Sequence, residues 1–365
     1  MKRTFTISAL FVLVVCLTNQ VTKAQTTFKM GDLNSYTNAY VEPFGNAMVA
    51  GLGGGWAHTA KVHSAFGFDL TISATFVTIP DAASTVAGSE VSIPGFKPIT
   101  GQIPTISAKS DVAAPVLSKT LTAGNGAVSA DFDFNGFNGV GLAAAAMPAI
   151  QIGFGLPKGT EIIGRFIPNM SNLLNNALSV SPGNNMSVSK TGMWGIGVKH
   201  DIKQWIPVLD KVPFLQISGL FSYSRFYTGF SGGDFAITPE LLDAVDNANT
   251  SWNDQEFKLN MSSFTGNLLV GANIPVFQPY IGVGFNTGSF ESGFYGTYPV
   301  ISLNETSGDF EAKTSEKDPI VVKTKKTSIN FQAGARLKLG PIVFFGQATF
   351  QEYALYTGGI AVTIR

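Results

Sequence analysis

From Thr327 to Leu339 the chain reads TSINFQAGARLKL, and its polarity switches at every residue. Ile329, Phe331, Ala333, Ala335, Leu337 and Leu339 are apolar, while Ser328, Asn330, Gln332, Gly334, Arg336 and Lys338 between them are polar or tiny. A strand sends successive side chains to opposite faces, so this segment has one oily face and one wet face. About 13 residues at roughly 3.3 Å each, tilted about 40°, rise on the order of 30 Å, the thickness of a bilayer core. Strands of soluble sheets usually stop at about 5 or 6 residues. The pattern predicts a transmembrane β-strand.

The same alternation recurs. Phe68 to Thr78 sets Phe68, Leu70, Ile72, Ala74 and Phe76 against Asp69, Thr71, Ser73 and Thr75. Further strands are expected over Ala149–Leu156, Glu161–Ile167, Met193–Asp201, Phe214–Arg225, Phe264–Ile274, Tyr280–Thr287 and Ile342–Tyr353. A last one ends the chain, with Tyr356, Gly358, Ile360, Val362 and Ile364 on one face. Val49–Thr59, VAGLGGGWAHT, reads as a weak Gly-laden first strand. Short links at Pro157, Pro275 and Pro341 alternate with long polar stretches, as in barrels with short periplasmic turns and long outer loops. The long stretches are Pro80–Ala130, which is proline-rich, Phe230–Gln255 and the charged Phe290–Lys326. Met170–Leu178 and Pro239–Asn247 read as loop helices. The fold class expected is all-β: an antiparallel transmembrane outer-membrane β-barrel. Eleven strands are legible, and the even number that bacterial barrels need puts the estimate at about 12, range 10 to 14.

The first residues differ. Lys2 and Arg3 precede the apolar run Phe5–Leu17, and Thr22-Lys23-Ala24 offers small residues at −3 and −1. Residues 1–24 are expected to be a signal peptide, with cleavage between Ala24 and Gln25. The one cysteine, Cys16, falls inside it, so the mature chain is expected to carry no disulfide. Residues 25–47 lack a sheet pattern. Leu33, Tyr36, Tyr40 and Phe44, at spacings of three and four, predict a short amphipathic helix bent at Pro43. This segment is read either as an exposed extension or as a plug inside the lumen, with the barrel over residues 48–365.

Composition narrows the function. With 24 basic and 24 acidic residues the net charge is zero, and no basic stripe offers itself to nucleic acid. Forty glycines and 29 phenylalanines suit a tightly packed barrel with aromatic girdles. The bland competitor is a Gly-rich secreted β-sandwich.

Candidate chemistry is sparse. His58 and His63 stand five residues apart across an expected turn, with no cysteine or carboxylate cluster to complete a metal site, and read as ordinary polar or interfacial residues. His200 would be the base of any wall-embedded hydrolase, yet no nucleophile motif accompanies it. Gly51, Gly53, Gly54 and Gly55 lack the Lys-Ser/Thr of a phosphate loop; they fit better with close approach of a luminal segment to the wall. Asp131, Asp133 and Asn135 read as solvated loop residues. Trp194, Trp205, Phe221, Tyr223, Phe285, Tyr353 and Tyr356 read as interface girdles. No catalytic, cofactor-binding or metal residue is assigned, no enzyme is expected, and no cofactor is implied.

Four stretches carry a resemblance: TNAYVEPFGNAMVAGLGGGWAHTA, GFDLTISATFVTIPD, QIGFGLPKGTEIIGRFIP and MWGIGVKHDIKQWIP. They resemble a family of exported outer-membrane barrels catalogued as a domain of unknown function. In architecture alone, a luminal N-terminal segment before a mid-sized barrel is similar to the long-chain fatty-acid transporter family. That resemblance transfers no ligand residue. The chain ends Thr363-Ile364-Arg365, without the terminal aromatic residue such barrels often show the insertion machinery. The expected partners are outer-membrane lipids, the barrel-insertion machinery and a small solute, a hydrophobic one among the candidates. The function expected is passive transport across the cell outer membrane; the alternative is a structural or surface-interaction barrel.

Overall fold

A computed structural model describes residues 26–109, 112–141, 144–169, 171–172, 175, 187–232 and 254–364. The proposed Ala24/Gln25 cleavage site and the expected helix over Pro239–Asn247 lie outside these residues, as does most of Met170–Leu178. The first strands are β1 (Phe28–Lys29), β2 (Phe68–Thr78), β3 (Thr85–Ala87), β4 (Gln102–Pro104), β5 (Val116–Ala123) and β6 (Val128–Asn135). Next come β7 (Ala144–Leu156), β8 (Thr160–Ile167), β9 (Ser187–Val188), β10 (Gly192–Asp201), β11 (Leu215–Ser231) and β12 (Glu256–Ala272). The chain ends with β13 (Phe277–Tyr295), β14 (Thr297–Leu303), β15 (Phe310–Lys317), β16 (Ile320–Leu339), β17 (Ile342–Phe350) and β18 (Leu355–Ile364). One long helix, α1 (Asn34–Gly53), precedes β2.

Ten strands pair antiparallel in a closed cycle: β2, β7, β8, β10, β11, β12, β13, β16, β17, β18 and back to β2. Closure is made by the C-terminal strand, with Ile364 opposite Phe68 and Leu355 opposite Val77. β9 lies outside the cycle, on β11. A cycle leaves no edge strand, which is what a sheet needs where no water can satisfy its backbone. The estimate of about 12 strands is corrected to ten. Of the eleven segments read as strands, Val49–Thr59 is not one: its first residues are the end of α1. Its glycines resemble a weak strand only because glycine carries no periodicity at all.

The alternation holds where it was read. In β16 the odd residues face out, Ile329 being 69% exposed, while Asn330, Gln332 and Arg336 are buried inside. In β2 the apolar Phe68, Leu70, Ile72 and Phe76 face out, and Asp69, Thr71, Ser73 and Thr75 face in. Apolar side chains outside and polar ones inside are the arrangement lipid imposes on a barrel. Pro148 in β7 and Pro279 in β13 sit where one neighbour's ladder has ended: β7 meets β8 only from Ile150 onward, and β13 meets β12 only from Tyr280 onward. A missing N–H there costs no ladder bond.

Short links join β7 to β8, β12 to β13 and β16 to β17 at one end. By the usual orientation this is the periplasmic end. At the other end the long connections build a cap. The Phe290–Lys326 stretch, read as a loop, is largely strand: β13 and β16 continue past each other to Phe294 opposite Ile320, and β14 and β15 form a hairpin. Pro80–Ala130 carries β3, β4 and the start of the β5–β6 hairpin. β1 pairs with β14, placing Phe28 4.8 Å from the Phe132 ring in an apolar core shared with Leu117, Leu121, Ile301 and Leu303. The Glu316 carboxylate accepts the Gly31 N–H at 3.0 Å, and burial pushes its carboxyl up from the ordinary value. Tyr353, expected in a girdle, is buried with this core; Trp194, Trp205, Phe221 and Tyr356 are exposed.

Candidate functional site: a lumen filled by the N-terminal segment

Ten strands about 4.8 Å apart and tilted about 40° close into a cylinder of roughly 10 Å radius at the Cα atoms. A helix with side chains is about 10–12 Å across, so it fits inside only where helix and wall both give way. α1 enters from the cap and contacts β2, β7, β11, β12, β13 and β16. From Gly45 to Gly53 every residue is buried, whichever way it points. The amphipathic expectation therefore holds only for the first turns. Glycines make the fit: a Cβ on Gly45 would lie 2.5 Å from the Phe290 ring, and one on Gly53 would lie 2.6 Å from Thr265 Oγ1. The close approach expected of the Gly51–Gly55 cluster is real, but the glycines belong to the luminal segment itself. The helix ends at Gly54, which is extended, followed by Gly55 at φ +65°.

A helix end leaves its last four carbonyls without intrahelical donors. Here the wall supplies donors. Asn286 Nδ2 donates to the Val49 and Ala50 carbonyls at 3.3 and 3.4 Å. Ser224 Oγ donates to Leu52 O at 3.2 Å and Thr265 Oγ1 to Gly53 O at 3.3 Å. Arg165 Nη1 donates to Gly54 O at 2.9 Å, and Gln151 Nε2 to Trp56 O at 3.4 Å. The Tyr280 hydroxyl lies 2.8 Å from Ala57 O. Six side chains from β7, β8, β11, β12 and β13 thus form a polar collar around seven plug carbonyls. Arg165 also faces the negative end of the helix dipole and sits 4.1 Å over the Trp56 ring. Trp56 in turn packs on Gly195 and Gly197 of β10, where a Cβ would come within about 3 Å of the indole.

Below the collar, towards the short turns, the segment is tied a second time, by charges. His58 Nε2 lies 2.7 Å from Asp69 Oδ2, and His63 Nε2 3.6 Å from Asp69 Oδ1. Arg336 Nη1 lies 3.3 Å from His58 Nδ1. Guanidinium can only donate, so Nδ1 accepts and the ring's proton is on Nε2, directed at Asp69. Glu161 accepts the His63 backbone N–H at 3.1 Å and pairs with Lys199 Nζ at 2.9 Å, both side chains 3% exposed. Two carboxylates and two cations from β2, β8, β10 and β16 therefore clasp residues 58–63. His58 and His63, expected as ordinary polar or interfacial residues, are instead buried in the lumen against Asp69. The signal in the sequence was the set of charged residues at inward strand positions, which must find partners once the lumen is filled. The imidazole nitrogens point at the carboxylate rather than at a shared point, and among the described residues no cluster suited to a metal ion occurs.

His200 lies at the turn end of β10. Trp205 Nε1 donates to its Nε2 at 2.9 Å, leaving Nδ1 to donate to Thr160 Oγ1 at 2.9 Å. Both nitrogens are spent on tying the β7–β8 turn to the β10–β11 link. Asp131 belongs to the cap, bonded to Lys97 and Thr120 at 2.6 Å each.

Between the end of α1 and the wall of β12, β13, β16 and β17 lies a cavity of about 10 Å³ lined by amides. It holds about one water.

Residues 1–364 match a family described as a family of unknown function, DUF6588. The chain belongs to that family. No curated protein matches it. Solved barrels are distantly similar. The outer membrane protease OmpT from Escherichia coli is 9% identical, with 82% of this chain and 97% of that one covered at a TM-score of 0.32. The translocator domain of the autotransporter NalP from Neisseria meningitidis is 11% identical, with 92% and 100% covered at 0.32. The toluene transporter TbuX from Ralstonia pickettii is 9% identical, with 87% and 97% covered at 0.27. At such scores no mechanism passes from one barrel to another. The closed ladder and the apolar exterior of this member of the family make it an outer-membrane β-barrel on their own.

Proposed function

We propose that this barrel is a gated passage for small solutes across the outer membrane, closed in this conformation by its own N-terminal segment. The collar carries the reading. Apart from the charge clasp on residues 58–63, the wall holds the plug by its backbone carbonyls, through single hydrogen bonds that water can replace, and no plug residue in the lumen pairs with the ten-stranded cycle. Such a fastening is worth about 0.5–1.5 kcal/mol per bond and comes apart stepwise. A lumen built only for rigidity would be filled with wall side chains, as in small barrels. The amide and hydroxyl lining favours a polar solute over a hydrophobic one. The second reading, a surface-interaction barrel, is supported by the cap, whose apolar residues Phe28, Leu117, Leu121, Ile301 and Leu303 pack in a core that continues into α1.

Weakening the collar separates the two. Arg165→Met with Asn286→Ala removes donors from the carbonyls of Val49, Ala50 and Gly54. At about 0.5–1 kcal/mol for each of the three bonds, the open fraction in planar bilayers is expected to rise on the order of tenfold to a hundredfold. Unchanged silence at all voltages would leave the surface-interaction reading in possession.

A further inference from the structure

We propose that the amide-lined cavity beside the end of α1, which has room for about one water while the plug is seated, becomes on withdrawal of the plug a binding site for small, uncharged, hydrogen-bonding solutes such as polyols and amides, and that it sets which solutes pass. This inference rests on the transport reading above. The wall of the cavity is formed by Asn267, Asn286, Asn330, Gln332, Gln347 and Thr349. None is charged. Asn286 and Gln347 are committed: Asn286 to the plug carbonyls and to Ser263, Gln347 to Gln332 Oε1 at 2.6 Å and Thr349 Oγ1 at 2.8 Å. Four neighbours keep an unused polar atom: Asn267 Oδ1, Asn330 Oδ1 and Gln332 Nε2, on residues 9%, 4% and 6% exposed, and Gln351 Oε1 on a half-buried residue.

Buried polar groups are nearly always bonded, and an orphan of this kind costs about 1–3 kcal/mol until something meets it. Three acceptors and one donor at one cavity match a hydroxyl or carboxamide, which both donates and accepts. A carboxamide can also turn to offer its other end, so the lining adapts to more than one small solute. Ions are served badly. They would shed hydration at a cost of several kcal/mol and meet no counter-charge, because the luminal charges are already paired. Asp69, Glu161, Lys199 and Arg336 clasp residues 58–63, and Arg165 is held by Gly54 O, Gln151 and the Trp56 ring. The opposite side of the cavity is the plug itself, from Ala50 through Gly53 to Ala57. Loss of the collar bonds therefore widens this cavity first.

The test is uptake by liposomes carrying the full-length protein, with erythritol and urea as neutral probes and potassium chloride as the ionic one. Asn330→Leu/Gln332→Leu keeps nearly the same volume and removes two of the unused amide atoms, Asn330 Oδ1 and Gln332 Nε2. Erythritol is expected to enter about tenfold faster than potassium chloride, and the double variant to slow erythritol by about tenfold, as two lost hydrogen bonds imply. Asn330→Gln, which keeps the amide, is expected to retain the rate to within about twofold. Folding is checked by the heat-dependent electrophoretic shift of closed barrels. Equal entry of neutral and ionic probes, or a double variant that changes nothing, overturns this inference, leaves the transport reading intact, and marks the cavity as a water site only. No entry of any probe, even with the collar weakened, overturns both.

Discussion

Deleting residues 26–62 is expected to turn the reconstituted barrel from closed to steadily conducting. None of those residues pairs in the ten-stranded cycle, whose first member starts at Phe68, so the ladder that holds the barrel in lipid is untouched. What leaves is α1, its glycine end and Trp56, which among the described residues are what lies between opposite walls at the level of the collar. The freed side chains Asn286, Thr265, Ser224, Gln151 and Arg165 are hydrophilic, so water replaces the plug instead of the wall collapsing on an apolar void. A shorter deletion, residues 25–46, is expected to do much less, because Val49 to Ala57 would still occupy the collar. Planar-bilayer recordings distinguish the two. A barrel that folds, loses residues 26–62 and stays silent would mean that wall side chains close the lumen unaided.

Glu161→Leu is the substitution expected to cost most stability. It strands the Lys199 ammonium, 3% exposed, inside the lumen and removes the acceptor of the His63 N–H. Breaking one side of a buried pair typically costs about 3–5 kcal/mol, whereas replacing both sides with apolar residues is often neutral. Urea unfolding in lipid vesicles should show the single variant destabilised by roughly that amount and Glu161→Leu/Lys199→Leu restored to within about 1 kcal/mol of the parent. Equal loss in the single and double variants would show that the clasp stabilises through packing instead of charge.

Much of this wall was legible because lipid enforces a strict period of two: Phe68–Thr78 and Thr327–Leu339 were read with the correct residues inside and outside. What misled was the lumen. Val49–Thr59 looks like a poor strand, since GLGGGW has no period, and glycines chosen for close packing of a helix against a wall look like glycines chosen for anything. The charged Phe290–Lys326 stretch looked like a loop because strands that rise above the membrane no longer need an oily face. The collar was half visible, as the polar row of each strand, but its partners are backbone carbonyls, which carry no sequence signature. The clasp on His58 and His63 joins residues up to 278 apart in the chain, a pairing no local pattern encodes.

If the N-terminal segment must move for the barrel to open, a cross-link between it and the wall holds the barrel shut. Gly53→Cys with Thr265→Cys tests it, because Thr265 Oγ1 stands 2.6 Å from where the new Cβ would be, close to the position a bridging sulfur needs. The one native cysteine, Cys16, lies in the expected signal peptide. Placed in the Arg165→Met/Asn286→Ala background, where the latter change also makes room for the new Cβ, the oxidised protein is expected to give no openings in planar bilayers and the reduced protein to recover them. Openings equally frequent in the oxidised and reduced states would contradict the account.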